Sequence, residues 1–217
     1  MSSRWASASV PVLVLVLLSG CAGQQPGPSG AAAPASGGAT AAADDRSGQA
    51  AQADQAEQPA PATTPGRLRY AFPVRGRTSY SRAHHDYPAT DMFASCGTRV
   101  VAPVRGVVLE VSQRDRYRPA RDNPALRGGR SWSLRGDDGV RYYGSHMRRI
   151  ADRVRPGERV RAGAALGRVG QSGNARGTGC HLHFGISPVC GRTGDWWIRR
   201  GTVWPYRFLQ AWRDFDT

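Results

Sequence analysis

Ser131-Trp132-Ser133-Leu134-Arg135-Gly136-Asp137-Asp138-Gly139-Val140-Arg141-Tyr142-Tyr143 sets β-forming residues on both sides of a Gly-Asp-Asp-Gly turn. That pattern predicts a two-stranded hairpin. Aromatic and aliphatic side chains suit a pleated, half-buried surface, and Asp and Gly accept the backbone of a tight turn. The same texture continues outward. Upstream, Val100-Val101, Pro103, Gly106 and then Val107-Val108-Leu109-Glu110-Val111 read as two strands joined by a turn. Downstream, Val154, Val160, Leu166 and Val169 are interspersed with Gly157, Gly163, Gly167, Gly170 and Gly173. Short strands punctuated by glycine predict a mainly β domain, a compact antiparallel sheet or sandwich. Two stretches read as helix: a short one over 147–153, and 206–213, where Phe208, Leu209 and Trp212 recur at helical spacing and should pack on the sheet.

The 217 residues carry 30 basic and 16 acidic side chains, a net charge of +14, and every basic residue is arginine. Without lysine there is no Schiff-base, P-loop or carrier-arm chemistry. That excludes the swinging-arm carrier domains, whose Val-x-x-Gly hairpins this sequence otherwise shares. The charge is unevenly placed: residues 1–66 sum to −2 and residues 67–217 to +16.

Residues 1–20 read as a signal peptide. Arg4 precedes an apolar run from Val10 to Leu18, too short to span a bilayer and suited to a signal-peptide core. Leu18-Ser19-Gly20-Cys21 follows and resembles the lipobox of bacterial lipoproteins, which implies a lipidated Cys21. Two acyl chains anchor stably where one does not. Residues 21–66 form an Ala/Pro/Gly-rich tether; residues 22–66 lack Val, Ile, Leu, Phe, Tyr and Trp. Such a segment has no apolar surface to bury and is expected to be a disordered linker. Residues 67–217 remain as the folded domain. The expected location is outside the cell membrane, tethered to it and acting in the wall or periplasm.

All five histidines lie in that domain: His84, His85, His146, His181 and His183. Residues i and i+2 of a strand share a face, so His181 and His183 can address one site. His84-His85-Asp86-Tyr87-Pro88-Ala89-Thr90-Asp91 adds imidazole and carboxylate, the donor types that zinc takes. His146, in Tyr142-Tyr143-Gly144-Ser145-His146, ends the hairpin and can enter the same site.

The ordered set of His-(6)-Asp, Tyr-Gly-Ser-His, Gly170-Gln171-Ser172-Gly173-Asn174 and His181-Leu182-His183-Phe184 resembles the lysostaphin/LytM-type zinc metallopeptidases. The resemblance implies a β-rich fold with an open groove that hydrolyses peptide bonds of bacterial peptidoglycan. It makes Asp91 and His183 ligands of one Zn2+ and His146 and His181 catalytic histidines. The family's first ligand precedes the aspartate by four residues, a place that Tyr87 occupies here. His84 is the preferred substitute, by similarity to longer-loop members, with His85 the alternative. No glutamate lies near these histidines, so the two non-ligand imidazoles must serve as base and oxyanion stabiliser. Expected partners are peptidoglycan, the membrane through the anchor, and other cell-wall enzymes; nothing in the sequence is a nucleic-acid motif. Related domains that lost their ligands act as regulators of other hydrolases. The retained ligand set favours an enzyme over such a module. In an oxidising compartment cysteines pair. With Cys21 acylated, Cys180–Cys190 is the favoured bond, since the two bracket the His-x-His strand; pairs with Cys96 are the alternative.

Overall fold

In a computed structural model, which describes residues 68–190 and 195–215, eleven strands form two antiparallel sheets. The chain runs β1 (Val74–Arg75), β2 (Ser79–Tyr80), β3 (Thr90–Phe93), β4 (Arg99–Val101), β5 (Gly106–Ser112), β6 (Ser131–Gly136), β7 (Val140–Ser145), β8 (Arg149–Ile150), β9 (Arg159–Val160), β10 (Ala165–Arg168) and β11 (His181–Pro188). Helices α1 (Trp196–Arg199) and α2 (Tyr206–Phe215) follow. The larger sheet has the order β2-β3-β11-β7-β6-β5-β9, and the smaller β1-β4-β10-β8. The chain is therefore mainly antiparallel β with a short C-terminal helix, as expected. The signal peptide, Cys21 and the tether lie outside the described residues.

Strand alternation sorts the larger sheet into two faces. On one, Met92, Leu182, Phe184, Tyr142, Trp132 and Leu134 join a continuous buried core. Register fixes the pairing: Met92 lies opposite Leu182, Phe184 opposite Gly144, and Trp132 also opposite Gly144. Gly144 has to be glycine, because a Cβ there would stand 2.5 Å from the Trp132 ring. Helix α2 closes this side: Trp212 stacks on Tyr70 at 5.3 Å and meets Tyr142 and Phe184 edge-on. The smaller sheet adds Val74, Val100, Ile150 and Leu166 to the same core.

The hairpin 131–143 forms as read, as β6 and β7. Two expectations change. Residues 147–153 are not helical. The N–H groups of Met147, Arg148 and Ala151 donate to the carbonyls of Arg130, Arg168 and Leu166, so the backbone is spent on sheet neighbours. Val100-Val101 and Val107–Val111 are both strands, but they separate into different sheets. Val101 N–H donates to Pro73 O and β5 pairs with β6 and β9.

Cys180 bonds to Cys96 and not to Cys190, which corrects the favoured pairing. The reason is register. Phe93 at the end of β3 lies opposite His181 at the start of β11, so the residues just beyond them, Cys96 and Cys180, meet with Cα atoms 5.3 Å apart. Cys190 is buried beyond the far end of β11.

Candidate active site

The face of the larger sheet opposite the core carries the polar groups. His183 pairs directly with Asp91 and His181 with Phe93, so alternation turns Asp91, Phe93, His181 and His183 to one side while Met92 and Leu182 go inward. His146 joins them from the end of β7, since Ser145 lies opposite His183. All three of His146, His181 and His183 are buried.

The backbone decides which nitrogen each imidazole offers. His146 Nδ1 is 2.8 Å from Ser172 O, and His181 Nδ1 is 2.8 Å from Gly179 O. A carbonyl only accepts, so Nδ1–H donates in both and each Nε2 keeps its lone pair. Their rings lie 4.9 Å apart. His183 is set the other way: Nε2 is 3.0 Å from Arg200 O, and Nδ1 is 2.9 Å from Asp91 Oδ1. With Nε2–H donating to the carbonyl, the Nδ1 lone pair faces a carboxylate oxygen. Two acceptors that close need a cation or a proton between them. An imidazole whose remote N–H is held by a backbone carbonyl is the usual arrangement of a metal ligand.

The loop before β3 brings the other imidazoles. His84 Nε2 stands 3.5 Å from Asp91 Oδ2, and its ring is edge-on to His183 at 5.0 Å. His84, His85 and Asp91 each offer a ligand atom within 4.8 Å of one another. His84 is half-buried and its Nδ1 has no partner; His85 is exposed. Burial and the neighbouring His183 lower the His84 pKa to about 4. Burial, with His183 and His181 close by, lowers that of His146 to about 3. Burial alone would raise the Asp91 pKa, but the His183 hydrogen bond and the charges of His183, His181 and His84 bring it to about 2. This donor set, one carboxylate and converging imidazoles, fits zinc chemically.

Several supports were not singled out from sequence. His146 has φ 62°, the only positive value outside glycine among the described residues. It is held there by its N–H on Gly128 O at 2.9 Å and by its ring on Ser172. That explains the Gly170-Gln171-Ser172-Gly173-Asn174 motif. Ser172 supplies the carbonyl, its Oγ accepts from Arg130 N–H, and a Cβ on Gly173 would sit 2.0 Å from Arg127 O. Arg200 gives its carbonyl to His183 and lays its guanidinium 3.8 Å above the Tyr87 ring. Tyr87 in turn lies 4.5 Å from the His84 ring, beside the position it occupies in the sequence pattern. A bare spacing rule shows none of these contacts.

The fold is a mainly β domain that gathers one carboxylate and converging imidazoles on one sheet face. The chain belongs to peptidase family M23, whose pattern it matches over residues 85–194, just over half its length. It is 30% identical to the L-Ala–D-Glu endopeptidase of Bacillus subtilis strain 168, over 68% of this chain. It spans only 45% of that enzyme's length. Among solved structures it resembles a Ruminococcus gnavus protein named after the glycyl-glycine endopeptidase LytM, with 23% identity and a TM-score of 0.52. That overlap covers 67% of this chain and 61% of the other. The catalytic domain of lysostaphin from Staphylococcus simulans overlaps more loosely: 22% identity, 61% of this chain, 92% of that domain and a TM-score of 0.46.

Proposed function

We propose that this peptidase is a zinc-dependent endopeptidase of bacterial peptidoglycan, with His84, Asp91 and His183 holding the metal and His146 and His181 carrying protons. The observation behind this is the division of labour among nitrogens: His183 Nδ1 and His84 Nε2 turn toward Asp91, while His146 and His181 have only Nε2 free. Bound there, zinc supplies Lewis acidity toward a carbonyl and a water. The chain's own groups do the rest. One free Nε2 takes a proton as the oxygen of water bonds to the peptide carbon. As the C–N bond breaks, that proton passes to the leaving amine nitrogen. The second imidazole takes a solvent proton on Nε2 beforehand and, as the imidazolium, donates to the carbonyl oxygen as negative charge builds on it, keeping that proton through the cycle. Burial and the neighbouring imidazoles keep His146 neutral, with its Nε2 lone pair open. The peptidoglycan substrate follows the named activity of the Bacillus relative and the arginine excess, which suits an envelope rich in anions.

The reading includes the anchor: Cys21 carries lipid and the tether lets the domain reach the wall from the membrane. It rests on Leu18–Cys21 alone. Cys21→Ser should free the protein from the membrane fraction or block its maturation; unchanged fractionation and no acyl mass on the mature N-terminus reject it. For the enzyme, zinc content and new peptide ends are measured together on purified peptidoglycan. About one zinc per chain with new amino and carboxyl ends supports the proposal. Stoichiometric zinc without new ends across a range of pH replaces it with a non-catalytic module that binds the wall or activates other cell-wall hydrolases. No zinc at all rejects the ligand assignment.

A further inference from the structure

The smaller sheet turns one face to the core and presents on the other a row of arginines. Arg75 of β1 lies opposite Arg99 of β4, Arg99 opposite Arg168 of β10, and Arg168 opposite Arg149 of β8. Each strand contributes one, in direct register, and none carries another charged residue. Neighbouring strands lie ~4.8 Å apart, so the row spans roughly 14 Å. Arg75, Arg99 and Arg149 are exposed and Arg168 is half-buried. Arg168 donates one N–H to Gly97 O at 3.1 Å. The exposed Arg148 guanidinium comes within 3.8 Å of where a Gly97 side chain would begin, which adds a charge near Gly97.

Five arginines outside the row meet acids: Arg105 and Arg159 meet Asp137, Arg127 meets Asp122, Arg176 meets Asp115 and Arg199 meets Glu110. Among the described residues no carboxylate is paired with Arg99, Arg149 or Arg168. Like charges directly opposite across strands destabilise a sheet. Three successive like-charge pairs are a cost that folding does not require, because exposed positions on a β-strand accept any polar β-former.

We infer that this row is a binding site for a linear phosphodiester polyanion. A guanidinium matches phosphate through a rigid fork of donors, and a line of guanidinia matches a chain of anions. A bilayer would be met by a broad face with apolar side chains to insert. The exposed large hydrophobic residues, Phe93, Trp197, Val203 and Trp204, all lie outside this sheet. Two residues beyond Arg168, Gly170 pairs with His181, so a polymer on the row lies beside the histidine-bearing strand. The inference stands on the register, exposure and charge of this sheet and does not depend on the peptidase chemistry.

The test titrates the full chain onto a labelled abasic deoxyribose-phosphate chain of about twelve units, with salt between about 50 and 200 mM. Contacts from Arg99, Arg149 and Arg168 on a single-stranded phosphodiester give a slope of log K against log[salt] of about −2. Arg99→Gln with Arg149→Gln should reduce the slope by about 1.4 and weaken binding about tenfold. The same charge removed elsewhere, by Arg114→Gln with Arg121→Gln, should change affinity by less than about twofold. The row variant should melt no lower than wild type, because like-charge pairs are relieved, so lost binding is not lost folding. No binding at the lowest salt overturns the inference. So does equal loss in both double variants, or equal affinity for polyglutamate. Row-dependent binding to vesicles containing phosphatidylglycerol, with the abasic chain ignored, also overturns it and assigns the face to a membrane.

Discussion

The two halves of the site are built differently. Asp91, His181 and His183 sit on paired strands and His146 on the end of a third. Each of these imidazoles has one nitrogen fixed by a backbone carbonyl, and Cys96–Cys180 ties the two strands together just beyond the site. His84 and His85 sit on an irregular loop, closed at its ends by His84 N–H on Ala89 O and by Thr90 Oγ1 on Ser81 O. His84 Nδ1 is unpartnered and His85 is exposed. A sheet sets side-chain direction through its period, and a loop sets it only through individual contacts. The strand half should therefore hold its geometry when altered singly, and the loop half should shift.

The largest effect expected is on metal. Asp91→Ala and His183→Ala should each abolish stoichiometric zinc and with it turnover, since a three-ligand site has none to spare. His84→Ala should do the same and His85→Ala should keep zinc, as only His84 approaches both Asp91 and His183. Metal content by mass spectrometry decides; retention in His84→Ala with loss in His85→Ala would exchange the two loop histidines.

Next come the proton carriers. His146→Ala and His181→Ala should keep about one zinc per chain while turnover falls by about 10²–10⁴, the usual scale for a lost general acid–base group. Zinc lost along with activity in either variant would place that histidine among the ligands and end the division of labour.

The loop half can be disturbed from behind. Gly201 has φ 137°, and a Cβ there would stand 2.1 Å from Pro88 O. Gly201→Ala should push the 84–89 loop off its seat and weaken zinc binding about 10–100-fold, the range seen for supporting groups of metal ligands. The core should stay intact, since the strands are untouched. Unchanged zinc affinity with a cooperative melt at the wild-type temperature would show that the loop needs no support from Gly201.

How far the sequence could be read follows the same division. The 131–143 hairpin and the shared face of His181 and His183 follow from a period of two, so both were legible. The separation of β4 from β5 was not, because adjacency in sequence favours pairing and only the Pro73 and Pro103 carbonyls show otherwise. The stretch 147–153 looked helical because its partners, Arg130, Leu166 and Arg168, are remote in sequence. The Cys180 partner depended on the β3–β11 register, which spacing along the chain does not encode. Arg200 carries no sequence signal because its carbonyl, common to every residue, is what touches His183.

The smallest effect expected is in pH. In the metal-free protein, burial lowers the pKa of His146 to about 3 and that of His84 to about 4. In the unfolded chain both titrate near 6.5. Below that value the unfolded chain binds protons that the folded one refuses, so stability rises with pH. It is complete above about 6.5 and drains away as pH falls toward 4 for His84 and toward 3 for His146. For His146 the slope is at most about 1.4 kcal/mol per pH unit. Asp91, held at about 2 when folded against about 3.9 unfolded, adds a slope of the same sign only below about pH 5. Thermal midpoints measured in chelator from about pH 7.5 to 4.5 should fall as pH falls, and His146→Gln should flatten part of that fall. A midpoint that holds or rises on acidification would mean that neither imidazole is kept neutral by its surroundings, and the strand-borne His146 would then be no better fixed than the loop-borne His84.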